Sequence, residues 1–129
     1  MKTFMIEGDN ILDIESFYEE LNRVFMQGED WKLGPSLDAL DDMLYGGYGA
    51  LNGEEEVQII WNNAAKSKEV LGLETTKCYF EKKLERPDTF NAALIEGQLN
   101  ALLEGSGPTY YEIVKEIMES HAQIRLVEK

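Results

Sequence analysis

The chain has 129 residues, 43% hydrophobic and 10% aromatic, which suits a single domain with one sizeable core and excludes a disordered chain. Twenty-five acidic against twelve basic side chains leave a net charge of -13, which repels nucleic acid and anionic membranes and attracts basic partners. The single Cys78 excludes an internal disulfide and suits a reducing compartment, and it is expected to serve as a small buried apolar side chain.

Lys2 to Glu7 is rich in strand-forming residues and closed by the turn signal Gly8-Asp9-Asn10, so it predicts a first strand. Asp13 is placed to cap a helix, with Leu12 and Phe17 spaced as a hydrophobic staple across the cap. Phe17, Leu21, Val24 and Phe25 then form an apolar stripe, and Glu19, Glu20 and Arg23 are expected to face outward. Gln27-Gly28 ends this helix.

The next stretch, from Trp31 to Tyr48, carries the strongest functional signal. Gly34-Pro35 breaks any preceding helix, Ser36 can accept from the free N–H groups of a new first turn, and Gly46-Gly47 stops the helix. Leu37, Leu40, Met43 and Leu44 repeat at the helical period on one face, while Asp38, Asp41, Asp42 and Tyr45 repeat on the other. The apolar face wants a core; the acidic face is served by water or by a cationic partner, and spacing alone does not choose between them. The crowded carboxylates cost roughly 0.2–0.5 kcal/mol per like-charge pair in the isolated helix.

After a glycine-rich loop and the run Glu54-Glu55-Glu56, Val57 to Trp61 is nearly all apolar, as in a strand covered on both faces. Consecutive acids cannot converge on one ion, so the glutamate run is not a metal site. Asn62 or Asn63 can cap a helix reaching Val70, stopped by Gly72. Thr76 to Leu84 reads as a short helix ended by Arg86-Pro87, and Asp88 or Thr89 as the cap of another, with Phe90, Leu94, Leu99 and Leu102 on a broad face. Thr109 and Glu112 form a capping box for a helix whose apolar side is Tyr110, Ile113, Val114, Ile117 and Met118. Gln123 to Val127 closes the chain as a strand. Strands separated by helices imply an α/β fold with a three-stranded parallel sheet.

The acidity is uneven: residues 1–63 hold fourteen acids and three bases, residues 64–129 eleven and nine. No phosphate-binding glycine loop and no paired Cys or His ligands occur, so no cofactor or metal is expected. His121 falls at the end of the last helix, where a cation complements the helix dipole. Asp38 and Asp42 point the same way from one helix, which does not suit the opposed carboxylates of a glycosidase. A protein that is not an enzyme is expected. No leader-like segment opens the sequence and no window approaches about eighteen apolar residues, so the expected place is the cytoplasm.

Leu37-Asp38-Ala39-Leu40 followed by Asp42 and Leu44, the early Ile6-Glu7-Gly8, Trp61 closing the second strand and Lys115-Glu116 in the last helix resemble the barstar family of ribonuclease inhibitors. The resemblance covers 2–72 and 109–127, which makes the chain one barstar-like domain with a largely helical insertion at 73–107 before the last helix. It implies that Asp42 matches the acid entering a nuclease's phosphate-binding pocket, where it meets arginines and a catalytic histidine. Asp38 and Glu116 match further acids of that surface. The implied partner is a basic ribonuclease or ribonuclease toxin domain, with Trp31, Tyr45 and Tyr48 as aromatic anchors. Departures from the family are Asp41 in place of an aromatic, Lys32-Leu33 in place of a tyrosine pair, and a loop after the helix that lacks the family's tryptophan. They point to a nuclease other than that of the best-known member. The alternative is a non-inhibitory acidic binding module on the same fold, which would carry its exposed apolar surface around Phe90 and Leu94.

Overall fold

Val57–Asn62 (β2) pairs on both edges, but the expected cover on both faces is not found: Val57, Ile59 and Trp61 are buried, whereas Gln58, Ile60 and Asn62 are half-buried and stand beside exposed Thr3, Met5 and Arg125. In a computed structural model describing residues 1–86 and 91–129, Lys2–Glu7 (β1) lies on one side of it and Ile124–Glu128 (β3) on the other, both parallel. Lys2 stands opposite Val57 and Glu7 opposite Asn62; on the other edge Val57 faces Ile124 and Trp61 faces Glu128. Parallel neighbours need long crossovers. Ile14–Phe25 (α1) and Leu37–Leu44 (α2) make the first; Ala64–Val70 (α3), Leu73–Leu84 (α4), Ala92–Glu104 (α5) and Tyr110–Glu119 (α6) make the second. The expected α/β fold with a three-stranded parallel sheet is the one found. The last strand runs 124–128, one residue later than expected, although the Gln123 carbonyl still accepts from the Val57 N–H at 2.9 Å.

Trp61 is fully buried and joins three helices to the sheet. Its ring stacks on Phe17 of α1 with 5.8 Å between centroids and tilts against Tyr111 of α6 at 4.9 Å. Its indole N–H donates to Ser67 Oγ of α3 at 2.9 Å, so the one polar atom of the side chain is satisfied.

The helix starts follow local chemistry, with corrections where distant parts of the chain compete. Asp13 caps α1 in a reciprocal box with Ser16, but Leu12 is 68% exposed, so the hydrophobic staple does not form. Ser16 Oγ instead takes the Leu12 N–H at 2.7 Å and fixes the entry of the chain. Glu20, expected outside, is buried: it accepts from the Glu7 N–H at 2.7 Å, from Asn10, and in bidentate fashion from Arg23. Burial pushes its carboxyl up, and these donors more than offset that and hold it below the usual range.

Asn63 does not cap α3 with its side chain. It sits at φ 49° and donates to Asp9 at 2.8 Å, and the Ala64 N–H is satisfied by the Lys129 carbonyl at 3.0 Å. Helix α4 begins at Leu73, ahead of the expected Thr76, because Thr76 is buried within its first turn and its Oγ1 accepts the Tyr110 N–H at 2.7 Å. Asn91 caps α5; the expected caps Asp88 and Thr89, and Phe90, lie outside the described residues. On α5 Ile95 and Leu102 join Phe80 of α4 in a small second core, while Leu94 is exposed. Cys78 is also exposed, since α4 turns Thr76 and Phe80 inward and leaves residue 78 on its outer side.

Glu128 closes the sheet edge by accepting from Lys115 at 2.6 Å, Lys68 at 3.1 Å and the Tyr111 hydroxyl at 2.9 Å. The Lys115 ammonium, aided by Lys68 and Tyr111 against the opposing pull of partial burial, holds its carboxyl down at about 2. A depressed folded pKa contributes stability above the unfolded value, and that stability is lost as pH falls through the folded one. Glu128→Gln is therefore expected to lower unfolding free energy by about 1–2 kcal/mol at pH 7, allowing for solvent screening, in urea titrations. The difference between the two proteins should shrink from about pH 4.5 downward toward 2.

Candidate functional site

Everything around α2 serves to hold a short helix rigidly at the surface. The irregular segment before it is tied to α1 through buried Leu33, whose N–H donates to Asn22 Oδ1 at 2.8 Å and whose carbonyl accepts from Asn22 Nδ2 at 3.2 Å. Ser36 caps the helix, accepting from the Ala39 N–H. Leu40, Met43 and Leu44 are fully buried, so their face is committed to the core and the opposite face is committed to solvent.

On that outer face Asp38 and Asp42 are exposed, Asp41 is half-buried, and Tyr45 at the C-cap is 71% exposed. Asp38 has no hydrogen-bond or ion-pair partner among the described residues, and the helix N-terminus beside it favours its negative charge. Asp42 accepts from the Tyr48 hydroxyl at 3.0 Å. Partial burial and then the Asp42 carboxylate push the Tyr48 phenol up to about 12, so it stays a donor at neutral pH. The Tyr48 ring also meets Trp31, 44% exposed, at 4.7 Å between centroids, which brings two of the expected aromatics beside Asp42.

Tyr48 is placed by Gly49. This residue has φ 71°, donates its N–H to Glu29 at 3.0 Å, and packs so closely that a Cβ would lie 2.8 Å from the Phe25 carbonyl oxygen.

Glu116 is exposed on α6, which packs against α2, and its carboxylate has no partner among the described residues. The adjacent Lys115 is turned to Glu128 and does not neutralise it. Asp41 differs from the other acids: its Oδ1 is 2.7 Å from Nε2 of His121, whose side chain is only 5% exposed, and the Tyr45 ring stands edge-on to the imidazole at 4.7 Å. His121 is thus a partner of Asp41, a contact that its position in sequence did not suggest. Eighty residues separate the two, and no local spacing could have joined them.

Among the described residues no three His, Cys, Asp or Glu side chains converge as metal ligands, and no helix is long and apolar enough to cross a membrane. What is assembled is a fixed row of carboxylates flanked by aromatic rings, suited to charge-assisted bonds with guanidinium and ammonium groups.

A three-stranded parallel sheet with an acid-faced helix in its first crossover defines a small α/β protein that displays an acidic helix at its surface. The sequence matches the family described as Barstar (barnase inhibitor) over residues 1–85, and the chain belongs to that family, whose members are inhibitors and not enzymes. The match takes in α1 to α4 and ends before α6 and β3. No curated protein matches the chain.

Two substitutions separate the display from its support. Asp42→Ala, at an exposed position, should change unfolding free energy by no more than about 0.5 kcal/mol. Gly49→Ala, which forces a side chain into a left-handed residue against a backbone carbonyl, should cost about 1–3 kcal/mol in the same denaturation measurement.

Proposed function

We propose that this protein inhibits a basic ribonuclease by seating the outer face of α2 in the enzyme's active site, as an immunity protein acting in the cytoplasm against a ribonuclease toxin. Asp38 and Asp42 stand in for RNA phosphates and meet the cations that would otherwise hold substrate. Glu116 adds a third carboxylate from α6, Asp41 adds a fourth already paired within the chain, and Trp31, Tyr45 and Tyr48 cover the contact and exclude water. Charge-assisted bonds strengthen once water is excluded, so occlusion alone blocks catalysis and the inhibitor performs no chemistry.

The observation that carries this reading is the row itself. Two exposed carboxylates sit one turn apart on a helix whose opposite side is fully buried, in a chain of the Barstar (barnase inhibitor) family. Such a row is mildly destabilising in the free protein, which is the expected mark of a surface kept for a partner. The excess of acid in residues 1–63 would also draw a basic enzyme toward this face.

The test is RNA cleavage by the ribonuclease encoded beside this protein. Wild type should stop cleavage at stoichiometric concentration. Asp42→Ala and Asp38→Ala should each weaken inhibition by about 10- to 100-fold, the worth of a hydrogen bond between charged groups. Added salt should slow association.

A second reading, an acidic module that binds some other basic protein without inhibiting a nuclease, draws on the exposure of Leu94 (59%) and Leu103 (54%) on α5. Under the first reading Leu94→Glu leaves inhibition unchanged. Full cleavage in the presence of wild type would favour the second.

A further inference from the structure

We propose that His121 is a positioning residue of the recognition face, holding Asp41 and Tyr45 in the arrangement offered to a partner. The inference rests on the ribonuclease-inhibitor reading of α2 for its consequence and on geometry alone for its cause. A carboxylate only accepts, so the 2.7 Å contact requires a hydrogen on His121 Nε2, donated to Asp41 Oδ1. The imidazole is almost wholly covered while the Asp41 side chain is 43% exposed. The hydrogen bond therefore runs from a covered group inside to a partly exposed carboxylate, whose second oxygen has no hydrogen-bond partner among the described residues.

The same ring carries the edge-on contact with Tyr45, an exposed side chain for which no other ring contact or hydrogen bond is found among the described residues. Without His121 both side chains are free surface rotamers. A rotamer-rich side chain immobilised on binding costs about 0.5–1.5 kcal/mol, so holding two of them in advance raises affinity without adding a contact to the partner.

The imidazole is itself held in register. The His121 carbonyl accepts from Ile124 N–H at 3.0 Å at the start of β3, and Gln123 Nε2 donates to the Leu44 carbonyl at 2.8 Å, next to Tyr45. Residues 121 and 123 thus clasp the C-terminal turn of α2 at two points. Both residues lie beyond the 1–85 match, so a segment outside it completes the face.

The test compares wild type, His121→Phe, which keeps a ring against Tyr45 but no donor, and His121→Gln, which keeps an N–H donor. Side-chain scalar couplings measured by NMR on the free proteins report the χ1 populations of Asp41 and Tyr45. Wild type should show one dominant rotamer at each. His121→Phe should average Asp41 over several, and His121→Gln should restore part of the order. In parallel, inhibition of the ribonuclease that wild type blocks should weaken about tenfold in His121→Phe, and His121→Phe should cost nothing more in a protein that already carries Asp41→Ala, because the hydrogen bond is then already absent.

Unchanged Asp41 rotamers in His121→Phe overturn the proposal whatever the enzyme assay shows. Averaged rotamers with unchanged inhibition overturn its bearing on recognition, and if Asp42→Ala still weakens inhibition the reading of α2 stands. If wild type blocks no ribonuclease, that reading fails, and the couplings still decide whether His121 positions the face.

Discussion

Three helices meet the sheet at the Trp61 indole. Phe17 stacks on it from α1, Tyr111 tilts against it from α6, and Ser67 of α3 takes its N–H. Because β2 is the central strand, a side chain at its end is covered from several directions at once, and the packing there sets where each crossover helix lies. Aromatic burial of this size supplies a large share of core energy, and the satisfied N–H removes the cost that burying a tryptophan otherwise carries.

The placement of α2 follows from that frame. Its Leu40, Met43 and Leu44 are driven fully into the same core, and with only eight residues the helix has no freedom to roll without exposing them. The carboxylates are consequently held outward at fixed spacing by forces that do not involve them. Stability and display are carried by opposite faces of one helix. This is why an acidic surface with small intrinsic cost can persist, and why removing an acid should affect a partner far more than the fold.

Asp41 stands apart from its neighbours. Asp38 and Asp42 lie open or take a single hydroxyl bond, whereas Asp41 is engaged from inside by His121. The face therefore mixes open carboxylates with one already bonded within the chain.

The strands, the helix caps at Asp13, Ser36 and Thr109, and the two faces of α2 were legible in local pattern, because capping chemistry and the 3.6-residue period act over a few residues. The parallel order of the sheet followed from helices between strands. Other features depended on partners far away in sequence. Glu20 is buried because the Glu7 N–H and the Asn10 side chain reach it from outside its helix, beside Arg23 one turn on. Asn63 gives up its cap to Asp9, and the Lys129 carbonyl replaces it. The sequence could place Asp38, Asp41 and Asp42 on one face, since three residues on one helix share a single geometry. Only the folded chain could decide that Asp41 meets His121 and that Tyr48 bonds Asp42. Those contacts depend on how α2, its following loop and the turn into β3 pack together, and no periodicity encodes the distance between elements that tertiary packing brings into contact.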